Sequence, residues 1–264
     1  MRFSLCTEPE NLASLINAKA DYIECTVTGL NERTDEELAT FSAELAKNNF
    51  RCETLAILFP GGRIPLVGDN ADLAGAEAYV ENAFARIHGA IKPEVIVFGS
   101  GGARRCPEGF NKETALGQFV EAGQVVAQAA QKYGITIALE PLNKDECNLI
   151  NSVAEGLAIV KRVNRPNFRI LADFYHMLRG DEPPEALLQC EGILAHTHIA
   201  AKEGRRYPQA GDKEELVPYL NMLKKIGYNG RVSIEGRGEM VELGAAFEVL
   251  REWVSAQNNN PVMG

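Results

Sequence analysis

The chain has 264 residues, 45% apolar and 24% charged, enough to bury the core of one large α/β domain. Its net charge of −9 leaves no general basic face for phosphate neutralisation, which argues against nucleic acid as a partner. No apolar run approaches the ~20 residues that a membrane span needs, and the opening MRFSLCTEPE lacks the charged and long apolar segments of a secretory signal.

Short β-like runs alternate with amphipathic helical stretches along the chain. Arg2–Cys6 reads as a first strand, with a helix opening near Glu8-Pro9, where proline suits the first helical turn. Tyr22–Val27 is the second strand, and Asp35–Asn48 repeats apolar residues at helical spacing. A third strand, Arg51–Phe59, stops at Pro60-Gly61-Gly62. Asp72–Ala90 is helical, and Val95–Phe98 is a fourth strand running into Gly99-Ser100-Gly101-Gly102. Lys112–Tyr133 is a long helix closed by Gly134. The remaining strands are Ile135–Leu139, Phe168–Asp173, Ile193–His198 and Arg231–Glu235. Helices fall around Ser152–Val163, Pro184–Cys190, Glu214–Ile226 and Val241–Ala256, and the tail NNNPVMG is expected to fray.

Eight strand–helix units spaced at roughly 25–40 residues predict a parallel sheet closed as a single (β/α)8 TIM barrel spanning residues 1–264. The structural competitor, a doubly wound open sheet, lacks its glycine-rich dinucleotide fingerprint after the first strand. The six cysteines (Cys6, Cys25, Cys52, Cys106, Cys147, Cys190) are scattered without a CxxC pair. That usage predicts reduced, largely buried thiols in a cytoplasmic protein.

Four of the later strands end in metal-competent side chains: Glu140, Asp173, His198 and Glu235. Pro141 directly after Glu140 removes an N–H and ends the ladder there. In a barrel the C-terminal strand ends converge on one mouth, where the loops build the active site. Any one of these residues could be an ordinary solvent-facing polar group. Four at successive strand ends form an oxygen-rich set suited to one divalent ion, Mn2+, Mg2+ or Co2+, with Zn2+ a less good match. A cation would also relieve the repulsion of bunched carboxylates.

These motifs resemble the sugar isomerase/epimerase superfamily with a xylose isomerase-like TIM barrel, and the resemblance covers nearly the whole chain. They look most like the ketose 3-epimerases of the tagatose/psicose type, with hydroxypyruvate isomerase a near relative. By that resemblance, Glu140 and Glu146 match a Glu-x5-Glu segment that supplies a ligand and then a substrate-contacting acid. Asp173 and His176 match an Asp-x-x-His segment supplying a ligand and a substrate-contacting histidine, and His198 and Glu235 complete the ligands. The implied catalytic pair is Glu140 and Glu235, which remove and return a proton through an enediolate while Glu146 and His176 orient hydroxyl groups or move protons between oxygens. The epimerases carry a substrate-binding arginine six residues after the strand-seven histidine. Here that position is Gly204, and a one-residue shift offers Arg205, with Arg206 next. The segment GRRYPQAGD resembles the hydroxypyruvate isomerase loop, although that family has glutamine at the position of His198. Related barrels often assemble as dimers or tetramers, so the resemblance implies a homodimer or homotetramer.

The expected activity is therefore epimerisation or isomerisation of a ketose or related small sugar. The alternative is a dehydratase of inosose or dehydroshikimate type, because enolate formation followed by hydroxide loss needs the same groups. An endonuclease IV-like role fits poorly, since a trinuclear zinc site needs more than the four histidines present. A non-enzymatic sugar-binding barrel would have no need of paired glutamates.

Other residues remain open between two roles. His196 points to the same face as His198 and could support it or simply pack in the interior. Gly99–Gly102 reads as a flexible rim loop before an anion nest. Arg63, Arg104, Arg105, Arg179, Arg205, Arg206 and Arg237 all fall in loops near the mouth, which suggests either an anionic substrate such as a sugar phosphate or sugar acid, or rim salt bridges. Lys202 is expected to lie exposed rather than serve as a Schiff-base lysine.

Overall fold

The computed structural model describes residues 1–256, so the expected frayed tail NNNPVMG lies outside the described residues. Eight parallel strands form one sheet: β1 Arg2–Leu5, β2 Ile23–Thr26, β3 Cys52–Ala56, β4 Val95–Phe98, β5 Thr136–Leu139, β6 Phe168–Asp173, β7 Leu194–Ile199 and β8 Arg231–Ile234. The sheet order runs β1-β8-β7-β6-β5-β4-β3-β2. The β1/β2 seam is drawn together by a parallel bridge between Cys6 and Glu24 and by the Thr7 N–H donating to the Glu24 carbonyl at 2.8 Å. The sheet is a nearly closed TIM barrel.

Ten α-helices lie among the described residues: α1 Leu12–Asn17, α2 Val27–Asn31, α3 Asp35–Lys47, α4 Leu73–Ala90, α5 Gly101–Arg104, α6 Lys112–Gln131, α7 Val153–Val163, α8 Phe174–Arg179, α9 Lys213–Lys225 and α10 Leu243–Ala256. Local chemistry starts most of the long ones. Thr34 and Glu37 form a reciprocal capping box on α3, and Asp72, Asn111 and Ser152 each accept a backbone N–H at the start of α4, α6 and α7. The stretches expected to be helical near Glu8-Pro9 and over Pro184–Cys190 begin or run as 3-10 turns instead.

The third strand stops well before Phe59. Ile57 has φ +45°, so the chain leaves the extended region one residue after Ala56. Three short helices were not legible as periodic patterns. Two of them, α2 and α8, start on side chains at the ends of strands: Thr26 accepts from the Gly29 N–H, and Asp173 accepts from the Tyr175 N–H. The third replaces the expected rim loop, where Ser100 turns at φ +44° and Gly101–Arg104 forms α5.

The main core lies between sheet and helices, and a smaller apolar layer of Ala56, Val95, Val97, Ala138 and Leu171 forms a separate cluster. Ions close the N-terminal end of the barrel. Glu53, 3% exposed, accepts from Arg2 and from Arg231 Nε at 2.5 Å, and Arg231 also reaches Glu94. The opposite end is left for the site. No helix among the described residues is long and apolar enough to cross a membrane. All six cysteines are unpaired, five of them buried and Cys6 half-buried.

Candidate active site at the barrel mouth

Glu140 follows β5 and is 5% exposed. Its backbone is pinned on both sides: its N–H donates to Phe98 O at 3.3 Å, and its carbonyl accepts from Arg104 Nη2 at 2.7 Å. Asp173 ends β6. Its Oδ1 caps α8 at 2.7 Å from the Tyr175 N–H, while its buried Oδ2 has no hydrogen-bond partner. His198 points inward from β7, with Nδ1 3.2 Å from Glu140 Oε1 and 3.5 Å from Glu235 Oε2. Glu235 follows β8, its N–H bonded to Ile199 O at 3.2 Å.

One ligand atom from each of Glu140, Asp173, His198 and Glu235 lies within 4.8 Å of the others. Three carboxylates and one imidazole at that spacing suit a single hard or borderline divalent ion. Asp173 Oδ2 accepts no hydrogen bond, and the nearest cation, the Arg205 guanidinium, stands 3.7 Å away, which leaves room for an ion at that buried oxygen.

The electrostatics are divided. Burial, reinforced by the charge of Glu235, pushes the Glu140 carboxyl up. Burial likewise lifts Asp173 to about 6. Glu235 is held down at about 2, because His198 and Arg205 outweigh its burial. Unlike carboxyls in one buried cleft are the arrangement that acid–base chemistry uses.

Beside these four lie the three residues expected to contact substrate. His176, on α8, sets its Nε2 3.5 Å from Asp173 Oδ2 and 3.9 Å from Glu146 Oε2. Its Nδ1 faces Asn143, whose backbone N–H donates to it at 3.3 Å and whose side-chain nitrogen lies 2.8 Å away. That contact makes Nδ1 the acceptor and leaves Nε2–H aimed at the acids. Asn143 also donates to Glu146 Oε1 at 3.1 Å, so it ties together two of the three expected substrate contacts. Sequence reasoning missed this residue, although it lies between Glu140 and Glu146.

Arg205 enters the site and Arg206 does not. Gly204 at φ +69° and Arg205 at φ +48° turn the loop so that Arg205 reaches Glu146 Oε1 at 3.1 Å and pairs with Glu235, over the Tyr175 ring at 4.6 Å. Arg206 is taken up by both oxygens of Asp212 at 2.7 Å. Four of the other loop arginines also have protein partners. Arg104 is buried beneath Glu140, Arg105 and Arg179 go to Asp145, and Arg63 lies 3.8 Å from Glu32. The ion pairs of Arg63, Arg179 and Arg206 favour the rim-bridge reading for those three, whereas Arg104 and Arg105 donate to backbone carbonyls. Lys202 pairs with Asp181 at 3.2 Å and its side chain is 43% exposed, as expected of a lysine outside the site.

His196 proves to be wholly buried, and it shares a carboxylate with His198: Glu24, on β2. Glu24 was not singled out from the sequence. The available signal was a lone acid inside the apolar run Tyr22–Val27, which demands a buried partner.

A family model described as the xylose isomerase-like TIM barrel matches residues 12–253. The chain belongs to that family. It is 28% identical over 224 residues to a D-psicose 3-epimerase of Agrobacterium fabrum, covering 81% of this chain and 74% of that protein. It is 30% identical over 124 residues to a 2-oxo-tetronate isomerase of Cupriavidus necator, covering 45% of this chain and 46% of the other. Several further curated epimerases match over about half of their length or less. Among solved structures, the D-psicose 3-epimerase with D-tagatose from Clostridium cellulolyticum H10 superposes with a TM-score of 0.85 at 20% identity, covering 96% of this chain and 99% of that one. The family's barrel is thus the fold of this chain, and its sequence relatives are sugar epimerases and isomerases.

Proposed function

We propose that this isomerase is a divalent-metal-dependent epimerase or isomerase of a ketose or related small sugar. The observation that carries the reading is the convergence of Glu140, Asp173, His198 and Glu235 on one point at the mouth. Glu140, Asp173, His198 and Glu235 would hold the ion, which when bound draws electron density from a sugar carbonyl and its neighbouring hydroxyl and so acidifies the C–H between them.

The chain's own groups then do the proton work. One of the two glutamates, Glu140 or Glu235, takes the proton from that carbon, leaving an enediolate. The other returns a proton to the opposite face, which inverts the carbon. Return instead to the neighbouring carbon, with a proton moved between the two oxygens, gives the isomer. Glu146 and the Nε2–H of His176 would orient or relay protons among the oxygens, and Arg205 would bind a hydroxyl or acidic group of the sugar; their mutual contacts support this reading. Burial of Glu140, Asp173 and His198 excludes water from the reacting atoms, which strengthens each of these interactions.

The test is turnover of a panel of ketoses, sugar phosphates and sugar acids with added Mn2+, with products identified by NMR. An epimer or an aldose–ketose isomer is the expected product. A dehydrated product would move the assignment to a lyase, and no turnover of any compound by metal-loaded protein would overturn it.

A further inference from the structure

Glu24 sits inside the barrel with no exposed surface, on a strand that does not neighbour β7 in the sheet. Its two oxygens are shared among three donors. Oε1 lies 2.9 Å from His198 Nε2, while Oε2 lies 2.8 Å from His196 Nε2 and accepts from Thr54 Oγ1 at 2.9 Å. The two imidazole rings stand 5.0 Å apart at 85°, so each turns a different edge toward the same carboxylate.

A carboxylate is an acceptor only. Facing His198 Nε2, it requires that nitrogen to carry the hydrogen. In a neutral imidazole the other nitrogen then has the free lone pair. That other nitrogen is Nδ1, the atom beside Glu140 and Glu235. We infer that Glu24 is a positioning residue for the metal centre: it fixes the orientation and tautomer of His198 so that Nδ1 is presented to the ion. The inference rests on the proposed reading that His198 is a ligand. It explains how an acid is accommodated in the interior, where a carboxylate without bonded partners is strongly disfavoured. It also assigns roles to Thr54 and His196, which saturate Oε2 and leave Oε1 for His198.

Glu24→Gln tests this with little change of shape. Oε2 faces two donors, so the amide oxygen takes that place and the NH2 turns to His198. His198 Nε2 must then accept, and the hydrogen moves to Nδ1, the ligating atom. Calorimetric titration of the chelator-stripped protein with Mn2+ should give a dissociation constant raised about 10–100-fold over wild type, the usual cost of losing such an outer partner. In the His198→Asn background the same Glu24→Gln change should add nothing further to the loss. An undiminished affinity in Glu24→Gln, or an equal loss in both backgrounds, overturns the inference. If His198→Asn itself leaves Mn2+ affinity unchanged, the ligand reading beneath it fails first.

The three groups Glu24, His196 and His198 could also hold an ion of their own by spacing alone. Two ions per chain in the wild-type titration would make Glu24 a ligand and overturn its positioning role. A measurement on unmutated protein covers the case in which Glu24→Gln does not fold. With 113Cd2+ and 15N-labelled histidine, the coupling to cadmium should fall on His198 Nδ1 and the slowly exchanging proton on Nε2. The reverse pattern, or no coupling to His198, rejects the proposal.

Discussion

Glu140 fills the space that a side chain at Gly99 would need. A Cβ on Gly99 would come within 2.2 Å of Glu140 Oε2. A side chain on the residue after β4 would push the carboxylate after β5 aside from its position in the mouth.

Gly99→Ala is therefore expected to displace Glu140 while leaving the barrel folded. An Å-scale misplacement of a reacting group costs on the order of 10²-fold in rate. The check is kcat/KM beside a circular-dichroism melt. A variant with unchanged kcat would mean that Glu140 does not work from its observed position.

Arg205 binds Glu146 and Glu235 directly, so its loss should affect substrate more than metal. Arg205→Ala is expected to raise KM roughly tenfold, the equivalent of one charge-assisted hydrogen bond of about 1.5 kcal/mol. Arg205→Lys should recover little, because a point charge cannot span two carboxylates as the planar guanidinium does. Mn2+ affinity, followed by calorimetry, should not weaken in either variant. A weakened metal affinity with unchanged KM would place Arg205 outside the substrate contact.

How much of this was legible in the sequence differed with the range of the interactions. The four expected ligands stand at strand ends, where local pattern and breakers such as Pro141 mark the position. Arg205 was reachable because its offset from His198 is local, and Gly204 before it supplies the turn. Glu24 was not legible as a site residue: its partners His196 and His198 lie 172 and 174 residues away, and only barrel closure brings them together. Helices α2 and α8 were hidden for another reason. At five and six residues they are too short to show a period, and they depend on a cap from a strand-end side chain.

Addition of the ion should stabilise the fold. At a hundredfold excess over the dissociation constant, binding contributes about 2.7 kcal/mol, or roughly 5–10 °C in Tm for a chain of this size. Mn2+ is expected to raise the Tm of chelator-treated wild type by that amount and to leave Asp173→Asn little changed. An equal shift in the variant would place the ion elsewhere.

The acid sensitivity of the barrel should depend on Glu53, at the end opposite the site. Burial works to raise its carboxyl, but hydrogen bonds from Arg2 and Arg231 prevail and hold it below the usual carboxylate range. A depressed folded-state value means stability that is fully present above the unfolded value, about 4.3 for glutamate, and lost as pH falls through the folded one. Glu53→Gln is expected to cost roughly 1.5–3 kcal/mol at pH 7 in denaturant unfolding, with the gap to wild type closing below about pH 4. A gap that stays constant across that range would assign the cost to packing rather than charge.

The central claim is proton exchange by two glutamates at a carbon beside a carbonyl. It is tested most directly by incubating the Mn2+-loaded enzyme with its substrate in D2O and following solvent deuterium into that carbon by NMR, for wild type, Glu140→Gln and Glu235→Gln. The account predicts deuterium in both epimers with wild type, and loss of epimerisation in each variant even at Mn2+ concentrations that saturate its weakened site. Epimer formed without deuterium at that carbon, or full turnover by either glutamine variant, would contradict it.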